Sequence, residues 1–326
     1  MDNPAPMKII EDVRSTDENY PGVVLTIGSF DGVHLGHRAI VREVVERARQ
    51  RNGTPCVLTM RPHPREFFSP EHPPNLLTDE RKKARLLADI GVQVLFVLPF
   101  NRDVAGMSKE RFLEEILVGR CRVREVVVGH DFRFGKGAEG DYEFLQAFCR
   151  ERGIGVAQVA PVQVDGERVS STLVRECLLQ GDIDRAAQLL GRRYSIAGQV
   201  IRGRGIGVRL GFPTANIKPN HTAVPAQGVY AAKAWIHDAD YPAAVNIGIA
   251  PTISHADLTI EAHLLDFSRD ITGGGIELEF FQRLRPERKF PSRDALVEQI
   301  ARDVETVRAF FATGGSCTDQ TGLQMP

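Results

Sequence analysis

Two histidines stand three residues apart in a glycine-rich segment near the start of the chain. Residues 28–37 read GSFDGVHLGH and follow an apolar run. His34 and His37 fall at the start of a predicted helix, where residues three apart share one face. The free N–H groups and the dipole of a helix N-terminus favour a phosphate group. The pair therefore favours phosphate binding; zinc is the other functional interpretation, although no third ligand is evident.

A second group of phosphate-compatible side chains lies in VSSTLVR, residues 169–175. Ser170 or Ser171 can cap a helix, but capping alone requires neither Thr172 nor Arg175 one turn later. Hydroxyl groups and a guanidinium fork match the geometry of phosphate oxygens. These residues are predicted to hold a triphosphate or its departing pyrophosphate.

The densest motif of the second half is GRGIGVRLGFPTAN, residues 203–216. A threonine hydroxyl and an asparagine oxygen two residues apart, Thr214 and Asn216, are hard ligands of the kind that Mg²⁺ accepts beside substrate phosphates. The glycine run can fold over those phosphates with its backbone N–H groups, although taken alone it is also compatible with a flexible loop. The motif predicts a second phosphate site.

The elements that must position the first two motifs form an alternating pattern. Continuous apolar runs (23–28, 56–60, 92–98 and 125–129) are separated by amphipathic segments, and Thr78 is predicted to cap one of the helices. Such runs predict a parallel sheet covered by helices on both faces, a doubly wound α/β domain. Ligands of these sheets bind at the carboxyl ends of the strands, where residues 28–37 are expected.

After about residue 190 the pattern changes to strand-like runs separated by Gly- and Pro-rich loops. Five or six such strands predict a small antiparallel barrel. One amphipathic helix follows Ser292, with an apolar stripe that includes Val304 and Val307. We predict domains at 1–184 and 185–312 and an unstructured tail at 313–326.

Composition limits the classes of function. The formal net charge is -1, so a nucleic-acid binder that neutralises phosphates with a basic surface gains no support. Five scattered cysteines, never in CxxC spacing, do not favour a disulfide framework or a zinc cluster. No apolar run reaches the ~18 residues of a membrane span and no secretory signal is visible, so we expect a cytoplasmic protein without a membrane partner. Separately, we expect a monomer or weak homo-oligomer.

The HxGH and SSTxxR motifs resemble those of the HxGH nucleotidylyltransferases. With RPHPREFF (61–68) and VVGHDFRFGKGAEGD (127–141), the resemblance narrows to the FMN adenylyltransferase module of bacterial FAD synthetases. It implies the following ATP-binding residues: Gly28, Phe30, Asp31, Gly32, His34, Gly36, His37, Ser171, Thr172 and Arg175. Of these, His34, His37 and Arg175 are implied to serve catalysis. The implied flavin-binding residues are His63, Pro64, Asp131 and Phe132.

The PTAN segment resembles riboflavin kinase, whose catalytic base is the glutamate of an E-x-H strand, here Glu261. The implied phosphate-binding residues are Gly203, Gly205, Gly207, Gly211, Pro213, Thr214 and Asn216. Thr214 and Asn216 are the implied Mg²⁺ ligands.

Together the two resemblances cover residues 22–311 and imply a bifunctional transferase. It would phosphorylate riboflavin to FMN and then adenylylate FMN to FAD, with ATP, riboflavin and FMN as its substrates. Three alternatives stay open from the residues alone. They are an adenylyltransferase whose barrel only binds flavin, a flavin-sensing regulatory protein, and a nucleotidylyltransferase for another phosphorylated acceptor.

Overall fold

The structure is a computed structural model of the chain. It describes residues 7–220, 222–237, 239–251 and 256–314. The chain divides into two compact units, Met1–Ser171 and Thr172–Pro326. The domain boundary at 184/185 stays a prediction. Of the predicted tail, 313–326, residues 315–326 with Cys317 lie outside the described residues.

A six-stranded sheet forms the centre of the first unit. Its strands are β1 (Lys8–Ile10), β2 (Val24–Ile27), β3 (Pro55–Arg61), β4 (Val94–Pro99), β5 (Glu125–Gly129) and β6 (Gly155–Val159). Their spatial order is β1-β4-β3-β2-β5-β6, and every neighbouring pair is parallel. Because β3 and β5 flank β2 on opposite sides, the loop after β2 lies at the switch point of the sheet, where α/β folds bind their ligands.

Helices connect these strands. They are α1 (Leu35–Gln50), α2 (Pro64–Phe68), α3 (Glu80–Ile90), α4 (Arg102–Ala105), α5 (Lys109–Arg111), which continues as a π-helix (Phe112–Arg120), a 3-10 turn (Lys136–Ala138) and α6 (Tyr142–Arg150). A small hairpin, β7 (Gln163–Val164) with β8 (Glu167–Arg168), follows β6.

Both faces of the sheet are buried. Along β4, Val94, Phe96 and Leu98 pack into one apolar cluster, whereas Leu95 and Val97 pack into another on the opposite face. The predicted doubly wound parallel sheet is confirmed. The short edge strand β1 was not predicted, since three residues in a polar N-terminal segment carry too little pattern.

The start of α3 corrects one sequence prediction. The cap is Asp79, whose carboxylate accepts a 2.7 Å hydrogen bond from the backbone N–H of Lys82. The hydroxyl of Thr78 instead accepts from the N–H of Gly32, 3.2 Å away in the loop after β2. Both side chains have capping chemistry, so the sequence alone does not choose between them.

The second unit contains a closed antiparallel barrel. Its strands are β9 (Ser195–Ile201), β10 (Ala215–Pro219), β11 (Gly228–Ile236), β12 (Ala239–Pro251), β13 (Ala256–Leu264) and β14 (Gly275–Arg285). They close in the order β10-β13-β12-β11-β14-β9. The predicted antiparallel barrel is confirmed, and it has six strands.

Helices flank the barrel along the chain. They are α7 (Ser171–Gln180), α8 (Ile183–Leu190), α9 (Ile206–Leu210) and α10 (Arg293–Ala312). Ser292 caps α10, whose Val304 and Val307 are buried as predicted. Part of the glycine-rich run that could have been a loop is the short helix α9. Among the described residues, no helix has the length and apolarity to span a membrane, and the four cysteines are buried and free.

Candidate functional site

The loop after β2 presents the two histidines. His34 is the N-cap of α1, and its Nδ1 accepts a 3.3 Å hydrogen bond from the backbone N–H of His37. A neutral imidazole with an accepting Nδ1 carries its proton on Nε2, so His34 can donate from that atom. A methyl group at Gly36 would lie 3.2 Å from Cε1 and Nδ1 of His34. The HxGH spacing thus makes room for the first ring.

His37 stacks on His34, with ring centroids 3.7 Å apart and planes 16° apart. Phe30, which packs beside Gly28, meets His37 in an edge-to-face arrangement with ring centroids 5.2 Å apart. Burial, with the nearby His34 and Lys83, holds the pKa of His37 well below its ordinary value of 6.5. Its buried Nδ1 has no hydrogen-bond partner among the described residues. A neutral imidazole with an unused polar atom therefore faces this loop.

Asp31 ties the loop to two distant segments. Its Oδ1 accepts from the backbone N–H groups of Leu77 (2.8 Å) and Thr78 (3.2 Å). Its carbonyl oxygen accepts a 2.9 Å bond from the hydroxyl of Ser171. Gly32 has φ +82, and a methyl group there would meet Leu77 at 2.7 Å, so this turn needs glycine. The sequence motif predicts these residues at the site, and the geometry gives Asp31 the task of fixing the loop.

The SSTxxR segment starts helix α7. Ser171 is its first residue and the last residue of the first compact unit. Thr172 and Arg175 follow on the same helix and belong to the second unit. The bond from Ser171 to Asp31 thus joins the beginning of this motif to the loop that carries the histidines.

The predicted flavin-binding residues lie after β3 and β5. His63 is the N-cap of α2, where its Nδ1 accepts from the N–H of Arg65, and Pro64 is the first helical residue. Asp131 forms a salt bridge with Arg168. Phe132 stacks on Phe134 with centroids 5.3 Å apart. The parallel strands place both groups at the carboxyl edge of the sheet.

Two features of this edge were missed by the sequence analysis. Arg168 directly precedes VSSTLVR, and only the folded chain pairs it with Asp131. Phe68 is 65% exposed. Its ring meets the rings of Phe67 and Phe100 edge-on, with centroids 5.3 and 5.8 Å apart.

In the barrel, three polar residues stand in one row. Asn216 of β10 lies opposite Glu261 of β13, and Glu261 lies opposite Asn246 of β12. Directly paired residues of antiparallel strands project from the same face of the sheet. The row brings one end of the PTAN segment beside the predicted base. Asn246 was not assigned a role from the sequence.

Glu261 is half-buried in this row. Burial raises the pKa of its carboxyl group above the ordinary value of 4.5, and the positive charge of Arg204 partly offsets the shift. A raised pKa makes a carboxylate a stronger base near neutral pH, as proton abstraction requires.

Glycines let the chain approach the polar side chains of the PTAN segment. A methyl group at Gly203 would lie 2.1 Å from Nδ2 of Asn216. One at Gly207 would lie 2.3 Å from the carbonyl oxygen of Phe212 and 3.0 Å from the hydroxyl of Thr214. Gly205 and Gly211 have φ +67 and +87, the left-handed region on either side of α9.

The turn before Thr214 is held by the strand that carries the glutamate. Nδ1 of His263 lies 2.8 Å from the carbonyl oxygen of Pro213, and its ring meets Phe212 edge-on. Because a carbonyl oxygen only accepts, Nδ1 carries the proton. The E-x-H strand therefore contributes both the glutamate and an anchor for the neighbouring PTAN turn.

Two depressions lie in the barrel unit, one beside the start of the PTAN segment and one beside α9. A cleft of about 210 Å³ is lined by Gly203, Thr214 and the segment 267–272. A groove of about 490 Å³ lies between α9 and the start of α10. Its lining residues are Ile206, Arg209, Leu210, Phe290, Ser292, Arg293 and Leu296.

Comparisons with known proteins assign both halves. The family model described as FAD synthetase matches residues 16–173. The model described as riboflavin kinase matches residues 190–311. The first match contains the HxGH loop, and the second contains the PTAN segment and Glu261.

Similar proteins match over most of the chain. The bifunctional riboflavin kinase/FMN adenylyltransferase of Escherichia coli K12 is 38% identical over 94% of this chain and 98% of its own length. The enzyme of the same name from Haemophilus influenzae is also 38% identical, over 94% of this chain and 99% of its own length. A crystal structure of a protein from Streptococcus pneumoniae, described as a macrolide-efflux protein, is 28% identical with a TM-score of 0.84. That match covers 93% of this chain and 99% of the other.

The order of the two matches along the chain, the identity across its length and the two folded units lead to one assignment. The chain belongs to the family of bifunctional riboflavin kinases/FMN adenylyltransferases, with a FAD synthetase domain in its N-terminal half and a riboflavin kinase domain in its C-terminal half.

Proposed function

We propose that the chain makes FAD from riboflavin in two ATP-dependent steps, the first in the barrel unit and the second at the HxGH loop. The observation that carries the proposal is the pairing of a half-buried carboxylate, Glu261, with the PTAN segment and its glycines, in a chain that also holds the stacked histidines. Binding a flavin alone requires neither a base nor two phosphate sites.

In the first step, the carboxylate of Glu261 accepts the proton of the ribityl 5′-hydroxyl. The oxygen so activated attacks the γ-phosphorus of ATP, the bond to the β–γ bridging oxygen breaks, and ADP leaves. ATP occupies the cleft beside Gly203 and Thr214, and the groove lined by Phe290 and Leu296 takes the flavin ring on its apolar walls. A general base of this kind contributes about 10²–10⁴-fold.

Magnesium fits the residues of this site. The oxygens of Thr214 and Asn216 are neutral hard ligands, and Mg²⁺ typically takes few protein ligands because it keeps waters and substrate phosphates. The missing side chain of Gly203 lets the amide of Asn216 pack directly against the backbone of the glycine loop. When bound there, the ion neutralises charge on the transferring phosphates. Among the described residues no cluster of three His, Cys, Asp or Glu side chains could hold a metal, so these neutral oxygens are the proposed ligands.

In the second step, an oxygen of the FMN phosphate attacks the α-phosphorus of ATP, and pyrophosphate leaves. No base is needed because the attacking group is already an anion. Nε2–H of His34 and the ring of His37 donate to phosphate oxygens, and Ser171, Thr172 and Arg175 hold the rest of the triphosphate. The exposed ring of Phe68, beside the segment of His63 and Pro64, supplies a face for the flavin, and Asp131 and Phe132 complete that side.

Time-resolved chromatography of the flavins tests the proposal. Purified protein with riboflavin, ATP and Mg²⁺ should form FMN first and FAD later, and chelation of the metal should stop FMN formation. FAD from added FMN without FMN from riboflavin would remove the kinase step. No product from either flavin would overturn the proposal, and adenylylation of a different phosphorylated acceptor would redirect its second step.

We also propose that the protein works in the cytoplasm as a monomer or weak homo-oligomer, without nucleic acid or membrane partners. The nearly neutral charge supports the absence of a nucleic-acid partner. Sedimentation at several protein concentrations and fractionation of cells check these points.

A further inference from the structure

A buried lysine lies beside the phosphate loop of the first unit and has no role in the steps above. Lys83 is on α3, and its side chain is 6% exposed. Lysine side chains are almost never this buried unless their charge is paired, because removing an ammonium group from water is costly. The position therefore calls for a charged partner.

Its contacts in the protein leave part of its hydrogen-bonding capacity unused. Nζ donates to Oε1 of Glu80 at 2.8 Å, and its second contact, with the carbonyl oxygen of Ser29, is long at 3.4 Å. The other carboxylate oxygen of Glu80, Oε2, accepts from the guanidinium of Arg61 at 3.2 and 3.4 Å, and Arg61 also pairs with Glu11 at 2.6 Å. An ammonium group has three donors, and these two contacts use two of them.

The location of Lys83 connects it to the histidines. Ser29 lies in the loop after β2, and the bonds of Asp31 to Leu77 and Thr78 hold the segment before α3 against that loop. The charge of Lys83 is close enough to disfavour the protonated form of His37. A fixed cation therefore stands next to a neutral imidazole whose Nδ1 has no partner among the described residues.

We propose that Lys83 is a phosphate-binding residue of the FMN adenylyltransferase site, where its ammonium group contacts the triphosphate of ATP. This assignment rests on the proposed second step, in which negative charge builds up on the departing pyrophosphate. A cation held in place by Glu80 and Ser29 stabilises that charge without reorganising during the reaction. The neighbouring histidines are neutral, so Lys83 adds the positive charge that they lack.

The test compares Lys83→Met, Lys83→Arg and Glu80→Gln in the full chain. FAD formation from FMN is measured at varied ATP, and the reverse reaction is measured with FAD at varied pyrophosphate. Lys83→Met should lower kcat/KM for ATP about 10- to 100-fold and raise KM for pyrophosphate, since a charged hydrogen bond is lost. Lys83→Arg should retain a larger share of the activity. FMN formation by the kinase unit should not change.

Glu80→Gln is the matched control for a purely structural lysine. If Lys83 served only to pair with Glu80, both neutral variants would weaken FAD formation equally and leave KM for pyrophosphate unchanged; that result would overturn the proposal. So would a Lys83→Met chain with the original kcat/KM for ATP. Should Lys83→Met lose both activities through misfolding, Lys83→Gln, which keeps a polar tip, replaces it in the pyrophosphate measurement. Formation of FAD by the unaltered chain, measured first, decides the proposed function separately.

Discussion

The sheet unit and the barrel unit each carry a proposed ATP site, but the two sites use opposite kinds of side chain. At the HxGH loop, burial lowers the pKa of His37, and at the barrel it raises the pKa of Glu261. Desolvation favours the uncharged form in both cases. For an imidazole this leaves a neutral hydrogen-bonding group, and for a carboxylate it strengthens the base.

The difference follows from the two nucleophiles. An alcohol must lose a proton to attack phosphorus, whereas a phosphate arrives already ionised. The barrel therefore needs a proton acceptor within its row of polar residues. The loop after β2 needs only donors and positive charge in fixed positions, which a helix N-terminus can supply. The comparison predicts that each unit can be disabled without the other.

The largest expected effect comes from Glu261→Gln. FMN formation should fall by about 10²–10⁴-fold because the base is lost while shape is kept. FAD formation from added FMN should persist, as measured by flavin chromatography. Glu279→Gln, which changes another half-buried strand glutamate of the barrel, serves as the control. Equal loss of both activities would contradict the separation of the sites.

His37→Ala should have the reverse effect. Loss of one preorganised donor lowers FAD formation by about 10²–10³-fold, while FMN formation by the kinase continues. The matched control is His72→Ala, since His72 is exposed. An unchanged rate of FAD formation in the His37 variant would remove this residue from the phosphate site.

Gly203→Ala tests the cradle around Asn216. The added methyl group would lie 2.1 Å from Nδ2 of the amide, so the side chain must move, and kinase kcat/KM should fall about 10- to 100-fold. Gly275→Ala is the control, because a methyl group there meets nothing within 4 Å. If both variants phosphorylate riboflavin alike, the position of Asn216 does not matter to the reaction.

The smallest expected effect is on the pH dependence of the two sites, where the pKa shifts of Glu261 and His37 have opposite directions. Because the pKa of Glu261 is raised, its carboxyl is protonated and inactive up to a higher pH. The acidic limb of kinase kcat/KM should lie above the ordinary 4.5 of a glutamate. His37, with its lowered pKa, should stay neutral through 6.5, which NMR titration of its ring can check. An acidic limb of the kinase profile at or below pH 4.5, or a His37 pKa near 6.5, would contradict the directions assigned to these two pKa shifts.

The sequence predicted the architecture because periodicity is strong in both units. Continuous apolar runs predicted a parallel sheet covered by helices on both faces, and Ser292 predicted the start of α10. The stretch around Thr78 and Asp79 was harder, since two adjacent residues could cap the same helix. The structure uses one for the cap and the other for a bond to Gly32.

The candidate site was only partly accessible from the sequence. Spacing singled out the histidines and the PTAN residues as candidates, because each motif is contiguous in the chain. Arg168 and Lys83 were not singled out. Arg168 pairs with Asp131, 37 residues away, and the contact that brings Lys83 to the loop after β2 is with Ser29, 54 residues away. A contact across that distance leaves no local pattern, and a lone lysine on a helix is usually a solvated residue.

The hydrogen bond from Ser171 to Asp31 has a practical consequence for dissecting the chain. The last residue of the first compact unit is also the residue that fastens the HxGH loop. A shortened protein cut before this serine would keep every strand of the sheet and lose the fastening. An isolated adenylyltransferase fragment therefore has to include Ser171. Because the proposed phosphate-binding residues Thr172 and Arg175 follow it on α7, the border between the two units is a poor guide to where the chain can be cut.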